Sequence, residues 1–385
     1  MRAPTLVACM IAMVATAAIP RTAAAQSSMF GVRGLGLPNR FLSPRSEATG
    51  GSFGLFDNES TLNPASLAGV STVTASFVLA PEWRHWTTPA GTGSLRSTRF
   101  PQVFIKGPIP KTPVALGLSF SSYADRDFTL ATVDTISPRG VPLPTFDTLS
   151  SRGGLNDVRI SASYARTSAW SVGASVHILT GSNRIIARRA FGDTTFHTAG
   201  SSTELSYSGL GFDVGVIGAL SPALSVSMIA RKDLRLSEEQ DSTKVASFDM
   251  PYTFGAGVVY RPSNRLQVGA SGVYRTWSGA NSDLLALGGV GSRNSMDLSV
   301  GLEATTNVKR PYSKPLRLGL RYGQLPFSVL PGGKPHEFGI SAGTGTRFAK
   351  ERAGVDLTLE EVFRSEGSLY RERALQLFVG ISVRP

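Results

Sequence analysis

The chain is short of nearly everything that usually signals chemistry. It has one cysteine, Cys9, and four histidines in 385 residues. With its only cysteine near the start, it has no disulfide framework and no paired thiols. His85, His177, His197 and His336 show no metal-ligand spacing, so no metal is expected. No glycine-rich loop precedes a helical pattern, which excludes a phosphate cradle; no cofactor is predicted. No stretch reaches about eighteen consecutive apolar residues, so no transmembrane helix is expected. The net charge is +12, yet the arginines are dispersed rather than gathered on one face, which argues against nucleic acid. "GISAG" at 339–343 fits a nucleophile elbow in spelling only, because Ser341 lies inside an alternating strand with no helix behind it. An enzyme is not expected.

The N-terminus, by contrast, is rich in signal. "MRAPTLVACMIAMVATAAIPRTAAAQSS" offers a basic residue, an apolar run and a small-residue site, which predicts an export signal over 1–25 with cleavage after Ala25. A Gly/Pro/Ser-rich stretch follows over 26–70 and carries "NESTLNPASLAGV" near its end.

From Ser71 onward apolar residues alternate with Gly, Ser or Thr. In "VALGLSFSS", Val114, Leu116, Leu118 and Phe120 face one way and Ala115, Gly117, Ser119 and Ser121 the other. "MDLSVGLEA" and "LQLFVGISV" repeat the pattern. A period of two marks half-exposed β-strands, and about fourteen such runs can be counted between 71 and 384. Tight turns such as "GPIPKT", "RPSNR" and "FAKER" alternate with longer polar loops, the longest over 126–154. Many runs are long enough to cross a bilayer at a tilt, and the polar face is Gly/Ser/Thr rather than Lys/Glu. Trp83, Trp86 and Trp277 fall towards the long loops and Trp170 beside a tight turn, as in aromatic belts. The fold predicted is all-β: a transmembrane antiparallel barrel of about fourteen strands over 71–385, its lumen plugged by an N-terminal hatch, 26–70.

With Asn63-Pro64-Ala65 set between a glycine-rich segment and the first strand, the chain resembles the FadL-type family of outer-membrane transport proteins. The resemblance implies a multi-pass protein of a Gram-negative-type outer membrane, surrounded by lipid and lipopolysaccharide. It implies uptake of hydrophobic small molecules, fatty acids or other apolar compounds, with lateral release into the bilayer. It places Met29 and Phe30 near the ligand and a kink in the third strand within "SSYADRD", Ser121–Asp127. A relative of the same superfamily, the PorV-like subunit of a secretion system, suggests the alternative of a non-transporting scaffold with a protein partner.

Charged residues on the polar faces complete the candidate site. Glu303 and Arg317 flank the "TTNVKRPYSK" turn almost symmetrically, which predicts a direct cross-strand pair. Asp297, Arg321, Glu337, Asp356 and Glu360 extend this into a mixed-sign lumen network. Two roles stay open for it: anchoring the hatch, or contact of Arg317 or Arg321 with a cargo carboxylate.

Overall fold

The computed structural model describes residues 28–89, 91–167, 169–193, 195–306 and 314–384; the predicted signal peptide lies outside them. Fourteen antiparallel strands form one closed sheet. They are β1 (Thr74–Thr88), β2 (Gly91–Pro108), β3 (Val114–Asp125, resuming as Phe128–Ile136), β4 (Leu143–Tyr164), β5 (Trp170–Phe191) and β6 (Ala199–Ala219). Next come β7 (Leu224–Asp233, resuming as Leu236–Gln240), β8 (Thr243–Phe248, resuming as Tyr252–Ser263), β9 (Leu266–Arg275) and β10 (Ser295–Ala304). The last are β11 (Leu316–Gln324), β12 (His336–Phe348), β13 (Ala353–Glu366) and β14 (Tyr370–Val383). Closure is made by β14 against β1, in register from Arg371↔Thr87 to Val383↔Ala75. No sheet edge is left there to recruit another chain.

The burial pattern is inverted relative to a water-soluble sheet. Along β3 Leu118 is 51% exposed while its neighbour Ser119 is 3% exposed. The same alternation runs through β4 to β14, where Ile160, Val176, Phe212, Leu320 and Ile340 point outward. A continuous apolar exterior of this extent suits hydrocarbon, not water. Many inward-facing residues are small or charged, and apolar ones such as Leu155, Leu179 and Ile229 gather in one interior cluster.

Residues 28–70 lie against the inward faces. Ser43 caps a single helical turn, α1 (Pro44–Glu47), with Pro44 in its first position. This turn contacts β12, β13 and β14, whereas the 3₁₀ turn Pro64–Gly69 contacts β3 to β6 on the other side. Wall glycines make room for both. A Cβ on Gly319 would stand 2.0 Å from the Gly50 nitrogen.

Two expectations need correction. The stretch 126–154 is largely strand, because β3 resumes at Phe128 and pairs with the first half of β4. "TFDTLSS" alternates just as the membrane-level runs do, and β4, β5 and β6 each reach 21 or 22 residues. Trp277 is not a belt residue: it is 1% exposed and packs edge-on against Phe327 at 5.1 Å. A single turn of 3₁₀ helix, Trp277–Ala280, directs it inward, where it covers the segment's apolar cluster. Trp83 and Trp170 do face outward.

Candidate functional site: a cavity at an opening in the wall

The wall is not continuous. β2 and β3 pair only from Pro108↔Ala115 to Gln102↔Ser121. Beyond that point the only wall strand that β2 pairs with is β1, and the only one that β3 pairs with is β4. The cause is local. β2 bulges at Phe100–Pro101 against β1, and Pro101 has no N–H to offer a neighbour. Opposite it, β3 shifts register between Ser122 and Ala124 and breaks after Asp125. The break falls within Ser121–Asp127, where the kink was expected.

A sheet edge left open at membrane depth is costly unless protein or water covers it. Here the N-terminal segment covers it from within. Leu37 and Pro38 pair with Asp125 and Ala124, and the Asn39 N–H donates to the Tyr123 carbonyl at 2.8 Å. Between segment and opening lies a cavity of about 370 Å³. Both lips contribute to its lining: Arg99, Phe100 and Pro101 from β2, and Ser122, Ala124 and Asp125 from β3.

The charged inward residues form two alternating sets, a short one around Arg317 and a longer ladder from Arg321 that ends at this opening. Glu303 stands opposite Arg317, whose Nε donates to it at 2.6 Å. Arg317 also reaches Asp356 at 2.6 Å, and Arg45 of α1 binds Glu303 at 2.9 Å. Arg321 is held by Glu360, at 2.6 Å, and by Glu337. From there the sequence of contacts is Glu337–Arg364 at 2.9 Å, Arg364–Glu372 at 2.7 Å, Glu372–Arg84 at 3.3 Å and Arg84–Glu82. Glu82 binds Arg99 at 2.7 Å, and Arg99 crosses the opening to Asp125 at 3.2 Å. Arg40, held within the segment by Glu47, ties it to the ladder through Glu360 at 3.3 Å. Buried charges of this kind hold only as satisfied pairs, so the arrangement fixes geometry more than it adds stability.

Of the residues singled out from sequence, Arg321, Glu337 and Glu360 thus belong to the ladder that reaches the opening, whereas Glu303, Arg317 and Asp356 form a separate set with Arg45. Asp297 is in neither; it pairs with Arg275. Arg321 lines the cavity, and Arg317 does not. Phe30 is 2% exposed and packs with Leu37 and Leu325, with Met29 alongside. The Met29 N–H donates to Glu372 at 3.2 Å.

The Asn-Pro-Ala motif has a definite local role. Asn63 Oδ1 accepts from the Ala65 N–H at 2.9 Å, and Asn63 Nδ2 donates to the Leu55 carbonyl at 2.9 Å and to Ser227 Oγ at 2.8 Å. Pro64 starts the 3₁₀ turn, and Ala65 is fully buried over Gly173, where a Cβ would lie 2.4 Å from the Ala65 nitrogen. Only a small residue fits there.

Sequence reasoning missed a second buried cluster on β4 to β7. Asp157 joins Arg159 and Arg231 at 2.9 and 2.8 Å, and Asp233 binds Arg231, His177 and Tyr123. Arg159 Nη1 also donates to the Thr61 carbonyl at 2.6 Å, holding the segment from the opposite side. The i, i+2 spacing Asp157/Arg159 and Arg231/Asp233 on one strand face was the available signal. Ser341 is no nucleophile: it lies mid-strand in β12, and its Oγ accepts from the Gly50 N–H at 3.0 Å.

No protein-family description matches the chain, and no curated protein matches it by sequence. Solved structures do match in fold. A Pseudomonas aeruginosa FadL homologue superimposes with a TM-score of 0.62 at 14% identity, covering 90% of this chain and 99% of that one. The CymD monoaromatic hydrocarbon channel gives 0.58 at 16% identity, covering 89% and 97%. The Ralstonia pickettii toluene transporter TbuX gives 0.57 at 16% identity, covering 92% and 99%.

Proposed function

We propose that this chain, built on the fold of FadL-type channels, is an outer-membrane channel for hydrophobic small molecules. In this reading the export signal is removed after Ala25, residues 26–70 serve as a hatch closing the lumen, and 71–385 form the barrel. The observation that carries the reading is the opening between β2 and β3, whose two lips line the cavity. An apolar molecule leaving by this route meets lipid rather than water, and so avoids about 0.8 kcal/mol for each CH₂ it would otherwise expose.

Cargo arriving from the loop side would pass Met29 and Phe30 and reach the cavity past Leu37, which belongs both to the Phe30 cluster and to the cavity lining. Cargo of the monoaromatic size carried by the CymD and TbuX neighbours, or a fatty acyl chain, is the class to test. Arg317 and Arg321 each already sit between two carboxylates. Their assignment is therefore to anchoring the hatch, since a cargo carboxylate would have to displace a buried acid.

The test is uptake of labelled toluene and of a labelled long-chain fatty acid by cells with and without the protein. Expression-dependent uptake of either supports the channel. If neither is taken up, and native mass spectrometry of the purified barrel shows a bound protein and no small apolar compound, the PorV-like scaffold replaces it.

A further inference from the structure

The outer wall carries an unusual patch where β14, β1 and β2 meet. Arg371 and Arg373 point outward from β14, on either side of the inward Glu372. Arg373 stands opposite His85 on β1, and Arg371 opposite Thr87. On the same face Trp83 stands opposite Arg96 of β2. Each of these cations lies about ten residues above the short-turn end of its strand, the length a tilted strand needs to cross hydrocarbon. They therefore sit at the boundary on the loop side. Elsewhere on that boundary the wall presents Tyr274, Tyr322, Phe338 and Phe363, an ordinary aromatic belt.

Arg373 is 66% exposed on its side chain, binds Glu361 and lies 5.8 Å from the Phe363 ring. Arg96 and Arg371 have no side-chain hydrogen bond or ion pair among the described residues. Guanidinium groups held at a lipid boundary without a protein acid call for an external anion, and their planar fork suits phosphate. Below them lie Leu375, two residues down β14 from Arg373, then Phe100, four residues down β2 from Arg96, and, deeper, Phe77 on β1; all three are exposed and apolar, with Phe77 and Phe100 5.6 Å apart. Cations above and an apolar shelf beneath match an anionic lipid standing upright.

We propose that Arg96, Arg371 and Arg373 seat the phosphorylated headgroup of an outer-leaflet glycolipid of the lipid A type, with its acyl chains on Leu375, Phe77 and Phe100. The proposal rests on the outer-membrane placement above, not on transport. Phe100 is also a lip of the wall opening, so the seated lipid would stand beside the exit.

The test is native mass spectrometry of the full-length processed protein in detergent with three probes: bisphosphorylated lipid A, its monophosphoryl form, and phosphatidylglycerol. The double variant Arg96→Gln/Arg371→Gln removes the two cations without protein partners, so folding is not at stake. Arg184→Gln on β5, exposed and bound to Ser202, is the control. The expected result is retention of bisphosphorylated lipid A at least about tenfold above phosphatidylglycerol, falling about tenfold in the double variant and unchanged in the control. Equal retention by the double variant and the unaltered protein overturns the proposal, and so does equal binding of all three lipids. Hydrocarbon uptake by the same double variant reports on the channel separately, because lipid binding can be lost while uptake persists.

Discussion

Replacing Asn63 with alanine should unfasten the N-terminal segment while leaving the barrel intact. The side chain makes three buried hydrogen bonds, to Ala65, Leu55 and Ser227, and the last joins the segment directly to β7. Each is worth about 1 kcal/mol net, and loss of a cap alone costs about 0.5–2 kcal/mol, so roughly 3 kcal/mol should be lost. At 1.4 kcal/mol per decade, local opening becomes about a hundredfold more frequent. Amide hydrogen exchange reads this directly: amides over 55–70 should exchange about a hundredfold faster, while those of β10 to β14 stay unchanged. Asn63→Asp, which sets an unpaired carboxylate oxygen against the buried Leu55 carbonyl, should open the segment at least as much as alanine does. Exchange over 55–70 that matches the unaltered protein would refute the assignment of the motif as a fastening.

Gly215→Ala should reproduce that phenotype without touching the motif, because its Cβ would stand 2.0 Å from Asn63 Oδ1; unaltered exchange over 55–70 would mean the wall yields instead. Arg321→Gln leaves the buried Glu337 and Glu360 each short of a partner and should cost about 3–5 kcal/mol, visible as a lower unfolding temperature of the purified barrel. An unchanged unfolding temperature would show that the ladder is not held as described. Asp125→Asn removes the partner that Arg99 reaches across the opening. With Arg99 34% exposed, the stability change should stay under about 1 kcal/mol, whereas uptake of bulkier apolar compounds should rise. A fall in uptake would contradict a latch.

Most of the barrel was legible because a two-residue period survives every local irregularity. The fourteen strands and the tight turns follow from alternation and its interruption, whereas the break within Ser121–Asp127 was expected from the family resemblance and not from the period. The Glu303–Arg317 pair was readable for the same reason, since a hairpin's symmetry fixes which residues stand opposite each other. Contacts between non-adjacent strands were not readable. Arg84, Arg99, Arg364 and Glu372 join the ladder only because closure of β14 on β1 and the failure of β2 to pair with β3 set them side by side. Period also could not separate membrane-level strand from its extension beyond the bilayer. The alternating stretch after Asp127 was therefore read as loop, although it continues the sheet. Trp277 shows the limit of composition: a strand-end tryptophan can turn inward when a 3₁₀ turn follows the strand.

The most direct measurement bridges the two lips. Cys9 is the only cysteine in the sequence and lies within the predicted signal, so Arg99→Cys/Asp125→Cys joined by a short cleavable thiol linker gives a clean, reversible block. Hydrocarbon uptake should fall to the level of cells lacking the protein once the linker is in place, and return when it is cut. Undiminished uptake with both lips fully joined would contradict passage through the wall.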